Sequence, residues 1–249
     1  MENYSNFKEG EKLTVPLQII ARIETVFDEK FGVPRQPGII PEATGIMRFK
    51  ASEDYKQAFH GLEKCSHIWL MTWFHQVEPE MVKPRVRPPR LGGDKSLGVF
   101  ATRSPFRPNP IALSLVELDH IDITSENIEI KVKGVDLVSG TPVLDIKPYL
   151  PYCESMADAK LDWVEAKWEN LEVNWSSDAE NHFNNLKLDL ETKLLINKVL
   201  EQDPRPAYKK AKKERQVYGV KLKGINIKFS IETDKIVVES LNLGDDVLN

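Results

Sequence analysis

The sequence predicts a mainly β protein, with a barrel in its first two-thirds and a smaller α+β domain after it. Three observations carry this. Short apolar and β-branched segments recur from Leu13 to Val135, proline- and glycine-rich turns separate them, and the composition changes after Tyr152. Many short strands joined by such turns suit a barrel better than alternating strand and helix units.

The first candidate strand lies within Leu13 to Phe27. Gly45 to Phe49, His67 to Phe74, Leu97 to Thr102, Ile111 to Leu118 and Ile128 to Val135 follow it. Turn chemistry interrupts them at Val33-Pro-Arg-Gln-Pro-Gly, Arg87-Pro-Pro-Arg-Leu-Gly-Gly and Ser104-Pro-Phe-Arg-Pro-Asn-Pro. One short helix is expected from Ser52 to Leu62, where Tyr55, Ala58, Phe59 and Leu62 make one apolar face and Ser52 can cap it. Beyond Tyr152, Glu154 to Asn185 is polar and acidic. A helix is expected from Leu190 to Gln202, with Ile196, Val199 and Leu200 as its apolar stripe and Pro204 and Pro206 as its stop. Strands over Val217 to Leu222, Ile225 to Ile231 and Lys235 to Leu241 complete a division into 1–153 and 154–249.

Composition narrows the class. The chain has 249 residues, 41% hydrophobic and 29% charged, an ordinary globular balance. Its net charge of -4 excludes a surface that is basic throughout, so any RNA contact must come from local basic patches. The two cysteines, Cys65 and Cys153, form no C-x-x-C and suit a reducing compartment rather than a disulfide framework or zinc site. Met1 to Glu11 is polar, and no apolar run approaches the roughly 20 residues that span a bilayer. A cytoplasmic protein with no membrane segment and no metal is expected.

Neither G-x-G-x-x-G nor a P-loop is present, so a Rossmann-type cofactor site is not indicated, and Gly92-Gly93-Asp94 reads as a turn. The five histidines form no metal motif; His67 and His75 can share a strand face but are too far apart to share a metal. Three segments carry more. In Ala101 to Val116, three prolines stiffen a loop presenting Arg103, Arg107 and Asn109, which suits a carboxylate, a phosphate or a stacked base, or else is a solvated turn. In Asp136 to Tyr152, Ser139-Gly-Thr-Pro makes a tight turn whose N–H groups can face a ligand, because Gly140 has no side chain to block approach. Asp145 and Lys147 share one face of a short strand ending at Pro148, either as an ordinary ion pair or as an acid and a base at a site. In Gln202 to Arg215, an exposed stretch is expected to present Arg205, Tyr208, Lys209, Lys210, Lys212, Lys213 and Arg215, cations around an aromatic as an RNA loop requires. Lys83, Arg85, Arg87 and Arg90 form a similar group in the barrel half.

The segments Phe31-Gly-Val-Pro-Arg-Gln-Pro-Gly, Ser66-His-Ile-Trp-Leu, Phe74-His-Gln, Val86-Arg-Pro-Pro-Arg-Leu-Gly-Gly, Gly98 to Pro110 and Gly140 to Pro151 resemble the TrmO (TsaA-like, YaeB) family, in order along the chain. Gln202-Asp-Pro-Arg-Pro-Ala-Tyr resembles the C-terminal domain of its bacterial members. The resemblance implies a single-sheeted β-barrel that binds S-adenosylmethionine, dimerises, and methylates N6 of threonylcarbamoyladenosine beside the anticodon of threonine tRNA. It implies cofactor contacts at Arg35, Gln36, Pro37, His75, Gln76, Arg103, Leu113, Ser139, Gly140, Thr141 and Pro142. Ser139 departs from the aspartate usual there, and a hydroxyl carries no charge. Within this reading Asp145 is the candidate base or polarising group, Lys147 orients the threonyl carboxylate, and Arg205, Tyr208, Lys209 and Lys210 contact RNA. Two rivals are a noncatalytic RNA-binding module, which would not bind S-adenosylmethionine specifically, and a methyltransferase with a small or protein acceptor, which has no use for the Arg205–Arg215 patch.

Overall fold

Alternation of inward and outward side chains closes the first half of the chain on itself. The computed structural model describes residues 16–88, 95–163, 170–205, 207–210, 214–233 and 235–244; the Gly92-Gly93-Asp94 turn, Arg90, Pro206, Lys212 and Lys213 lie outside these. Strands β1 (Ala21–Thr25), β2 (Thr44–Lys50) and β3 (His67–Trp73) are followed by a two-stranded ribbon, β4 (Arg85–Val86) with β5 (Leu97–Gly98). Then come β6 (Ile111–Ile123), β7 (Asn127–Lys133) and β8 (Thr141–Pro148). The closed barrel runs β1-β2-β7-β6-β3-β8, with every neighbouring pair antiparallel. Ile23, Met47, Ile68, Leu70, Val116, Ile130 and Val143 fill it, none more than 1% exposed, so the interior is a packed core rather than a channel.

Antiparallel pairing decides where the loops go. The β1–β2, β3–β6 and β7–β8 connections all emerge at one rim. The opposite rim is covered by α1 (Glu53–Ala58), capped by Ser52, whose Oγ accepts the Tyr55 N–H at 3.1 Å. Tyr55 and Phe59 lay their rings against Phe49, with centroids 5.4 and 4.8 Å apart. The helix stops at Ala58, and Leu62–Lys64 form a separate 3-10 turn. Leu97 to Thr102 is not one strand: only Leu97–Gly98 pairs, and Val99–Ala101 winds into a 3-10 turn held by Thr102, whose Oγ1 donates to the Val99 carbonyl at 2.8 Å. A single turn, α2 (Pro151–Glu154), follows β8, and its Glu154 accepts the Trp69 indole N–H at 3.1 Å.

The polar stretch from Glu154 to Asn185 hides two elements, β9 (Glu172–Trp175) and α3 (Ser177–Asn185). Helix α3 buries only Ala179 and Phe183, a stripe too narrow to stand out among its polar neighbours. After it come α4 (Leu190–Glu201), α5 (Ala207–Lys210), β10 (Gln216–Leu222), β11 (Ile225–Glu232) and β12 (Lys235–Leu243). The sheet order is β10-β11-β12-β9, with β9 parallel to β12. Helix α4 begins at Asp189, which accepts the Thr192 N–H at 2.6 Å, and buries Leu195, Ile196, Val199 and Leu200.

The β10–β11 hairpin docks on the β1–β2 connection, at the same rim as the loops above. Lys223 N–H donates to the Val26 carbonyl at 3.0 Å, and Asp28 and Glu29 accept from the Gly224 and Lys221 N–H groups at 2.8 and 3.0 Å. Phe27 bridges to Leu222, both fully buried, so the two halves share one core. Gly32 lies in this seam at φ +91°, where an added Cβ would sit 2.7 Å from a Val220 methyl. Among the described residues no helix is long and apolar enough to cross a membrane.

Candidate active site

Residues 134–141 hold the rim together. Gly38 N–H donates to the Gly134 carbonyl at 2.8 Å, tying the Arg35–Gly38 loop to β7–β8. Ser139 and Gly140 donate their N–H groups to the Phe27 and Ile23 carbonyls, both at 2.8 Å, and Thr141 N–H reaches Val138. This corrects the expectation that the N–H groups of the Ser139-Gly-Thr-Pro turn face a ligand: those of Ser139 and Gly140 anchor the turn to Phe27 and to Ile23 of β1, that of Thr141 closes the turn on Val138, and Pro142 has none. What the turn offers instead is an open flank. Gly140 has φ +84°, and an added Cβ there would meet nothing within 4 Å. Ser139 Oγ accepts from Thr25 N–H at 3.2 Å, an acceptor role that needs no charge.

Cations from several segments bond the turn and the loops beside it. Arg22 Nη1 donates to the Gly140 carbonyl at 2.9 Å, and Arg103 Nη1 donates to Gln36 Oε1 at 2.8 Å. Lys30 Nζ reaches the Gln76 carbonyl at 3.3 Å. Burial, with Arg22 and Lys30 beside it, lowers the His75 pKa and favours the neutral imidazole. The structure therefore gathers Arg35, Gln36, Pro37, His75, Gln76, Arg103, Ser139, Gly140, Thr141 and Pro142 around one rim. A cleft of about 440 Å³ runs from Gln36, Pro37 and Arg103 of this rim down the outer barrel wall past Trp69, Leu115 and Lys133. Leu113 stands on the outer barrel wall, 48% exposed, in one row with Met71 and Asp145 across β6, β3 and β8. Asp145 and Lys147 pair at 2.8 Å on that wall, with side chains 45% and 61% exposed. Arg107 turns back into its own loop toward the Thr102 carbonyl at 3.4 Å, and Lys83 lies over the Phe106 ring.

Beside the rim sits the Gln202–Lys210 segment, and here the expectation of an exposed basic stretch fails. Arg205 is 2% exposed. Its Nε and Nη2 clamp both Asp203 oxygens at 2.8 and 3.1 Å, so Arg205 is a structural cation rather than an RNA contact. Burial works against the Asp203 carboxylate, but Arg205 and Lys210 outweigh it and hold its pKa below the ordinary range. Burial, and the nearness of Arg35 and Arg205, lower Lys210. Lys209 lies over the Tyr218 ring at 5.4 Å, and Arg215 pairs with Glu239. A cavity of about 190 Å³ separates the Lys30–Arg35 loop from Gln202, Asp203 and Pro204.

Two groups escaped the sequence reading. Asp136 is half-buried, accepts the Ser114 hydroxyl at 2.6 Å, and has its pKa pushed up to about 6 by burial. Ser114 faces the barrel interior between Ala112 and Val116, and a polar residue at an inward strand position was the signal that could have found it.

These features define the class of β-barrel methyltransferases. A family model described as the tRNA-methyltransferase O N-terminal domain matches residues 22–155, and the TrmO C-terminal domain matches residues 168–243. The chain belongs to the TrmO family. It is 42% identical over 214 residues to a tRNA (adenine(37)-N6)-methyltransferase of Escherichia coli K12, covering 85% of this chain and 91% of that one. A Pseudomonas aeruginosa relative, RcsF, whose name ascribes to it an S-adenosylmethionine-dependent methyltransferase activity, is 42% identical over 217 residues, 86% and 92% of the two chains. A crystal structure of TrmO from Pseudomonas aeruginosa superposes with a TM-score of 0.73 at 34% identity, covering 92% of this chain and 99% of that one.

Proposed function

We propose that the chain methylates N6 of threonylcarbamoyladenosine beside the anticodon of threonine tRNA, as a cytoplasmic homodimer divided into a barrel (1–153) and a C-terminal tRNA-contacting domain (154–249). The observation that carries this is the meeting, at one rim, of Arg22 with Gly140 and of Arg103 with Gln36, segments distant in sequence, in a member of a tRNA methyltransferase family.

The rim residues fit S-adenosylmethionine. Its carboxylate matches Arg103 and Arg35, its donors match Gln36 Oε1 and Ser139, and the open flank of Gly140 admits close approach. Residues Arg35 to Pro37, His75, Gln76, Leu113 and Ser139 to Pro142 would hold it, and once bound it supplies an electrophilic methyl on a cationic sulfur. The chain contributes alignment of the acceptor and exclusion of water, effects worth several kcal/mol. Lys147 draws the threonyl carboxylate, and Asp145 beside it is the polarising contact. On the C-terminal side Tyr208, Lys209 and Lys210 of α5 meet the tRNA, with Asp203 and Arg205 as the frame beneath them. Phe100, Tyr152 and Met156, at 78%, 83% and 68% exposed, are surface that a second copy would cover.

The test is incubation with labelled S-adenosylmethionine and two matched threonine tRNAs, one carrying threonylcarbamoyladenosine. Label in the modified tRNA alone is expected; label in neither, with cofactor bound, points to another acceptor.

A further inference from the structure

The two basic clusters of the sequence fold into opposite states. In the C-terminal segment the charges are already met: Arg205 and Lys210 pair with Asp203, Arg215 pairs with Glu239, and Lys209 lies over the Tyr218 ring. In the β3–β6 connection they are not. Residues 83–107 carry seven cations and one acid, Asp94, in a chain of net charge -4. Lys83, Arg85, Arg87, Lys95, Arg103 and Arg107 are described, and none of them forms an ion pair with a described carboxylate. On the β2–β7 side of the barrel, by contrast, Arg48, Lys131 and Lys133 are all paired.

Neutral groups hold these side chains in place. Arg85 donates from Nε and Nη2 to the hydroxyl and the carbonyl of Ser96, at 2.7 and 2.9 Å. Lys83 Nζ stands 5.2 Å from the centre of the Phe106 ring. Lys83 N–H donates to the Phe106 carbonyl and Val99 N–H to the Pro84 carbonyl, both at 3.0 Å, which ties ribbon and Arg103–Arg107 loop into one piece. Pro84, Pro105 and Pro108 stiffen it. The register Arg85–Gly98 and Val86–Leu97, carried one step further, brings Arg87 and Lys95 to the same end of the ribbon, both exposed. Arg103 of the same piece bonds Gln36 and lines the cleft, so the ribbon's charge stands beside the cofactor rim. Cations crowded without counter-charges repel one another. A row of exposed cations on a stiff backbone suits a chain of phosphates, which replaces the salt ions around it.

We propose that the β4–β5 ribbon is an RNA-backbone contact: Lys83, Arg85, Arg87 and Lys95 lay the phosphates of the anticodon arm across the barrel rim beside the cofactor cleft. Such contacts position the RNA and read no base. This rests on the tRNA reading above and gives the barrel the larger electrostatic part, with α5 the smaller.

The experiment measures binding of an unmodified threonine tRNA transcript to the full chain by fluorescence anisotropy, between about 50 and 200 mM salt. Calorimetry follows cofactor affinity and sedimentation follows mass. The triple variant Lys83→Gln, Arg87→Gln, Lys95→Gln leaves Arg85 on Ser96. It is expected to bind tRNA about 10- to 100-fold more weakly at the low-salt end, and the slope of log affinity against log salt is expected to flatten by about 2. Cofactor affinity and kcat hold, while KM for tRNA rises. Arg87→Lys stays within about threefold of wild type, because a phosphate asks only for charge there, and Lys209→Gln loses less than the triple variant. A triple variant with the wild-type salt slope overturns the proposal, as does an Arg87→Lys chain as weak as Arg87→Gln. So does a triple variant that sediments lighter than wild type, because the ribbon then serves a second copy of the chain. Wild type that binds tRNA with the steeper slope yet methylates neither tRNA fails the acceptor reading alone and leaves the ribbon's role supported. Wild type that does not bind tRNA overturns both.

Discussion

Asp145-Ile-Lys147 and Asp203-Pro-Arg205 have the same form in sequence: an acid, then two residues later a base. Each makes an ion pair with a nitrogen–oxygen distance of 2.8 Å. The first lies on the outer barrel wall, its side chains 45% and 61% exposed; the second lies under the C-terminal domain at 8% and 3%. Distance therefore says little about what a pair is worth. Water already stabilises the exposed charges separately, whereas a buried charge has only its partner.

Breaking each pair separates them. Asp203→Asn leaves Arg205 buried without its counter-charge and is expected to cost about 3–5 kcal/mol in urea unfolding. Because the folded-state pKa of Asp203 is depressed, the stabilisation is present above its unfolded value and fades as pH falls through the folded one. A urea midpoint that stays put would show the pair to be dispensable. Next in size, Gly32→Ala forces a side chain into positive φ and against Val220 in the seam between the halves, with an expected loss of about 1–3 kcal/mol.

Asp136→Asn sharpens the comparison by moving in the other direction. Its folded-state pKa of about 6 lies above the ordinary aspartate value of 3.8, so the folded state holds the proton more tightly than the unfolded one. The ionised form therefore opposes folding above pH 6, and that opposition is relieved as pH falls from about 6 toward 4. At pH 8 the asparagine variant is expected to be more stable by about 1–3 kcal/mol, an effect that shrinks at pH 4.5. Equal stabilities at pH 8 would mean the carboxylate is better solvated than its surroundings imply. The smallest effect belongs to Lys147→Met, within about 1 kcal/mol in stability; its methylation rate, not its melting, tests contact with the threonyl carboxylate.

The barrel was legible because its strands alternate: Ile128 to Val135 and His67 to Phe74 show the inward positions directly. The helix at Leu190 was legible for the same reason, at helical spacing. What periodicity cannot show is which rim a loop joins, and so the meeting of Arg22 with Gly140 was invisible. Arg205 was misread because a basic run resembles a solvated face until the chain folds it onto Asp203. Asp136 opens one of the motifs, but its raised pKa comes from burial, which exists only once the chain has folded.

The barrel closes by pairing its first strand with its last, and the Arg22–Gly140 hydrogen bond spans 118 positions in sequence. A ribosome delivers these partners at different times, so the chain must wait, with β1 unpaired on one edge, until β8 has been made. Until then the carbonyls of Ile23 and Phe27 lack the Gly140 and Ser139 N–H groups that they accept from in the folded chain. High contact order of this kind slows folding and leaves strand edges open in the interval. For this protein the barrel can close only once β8 has been made, with the C-terminal domain still to follow.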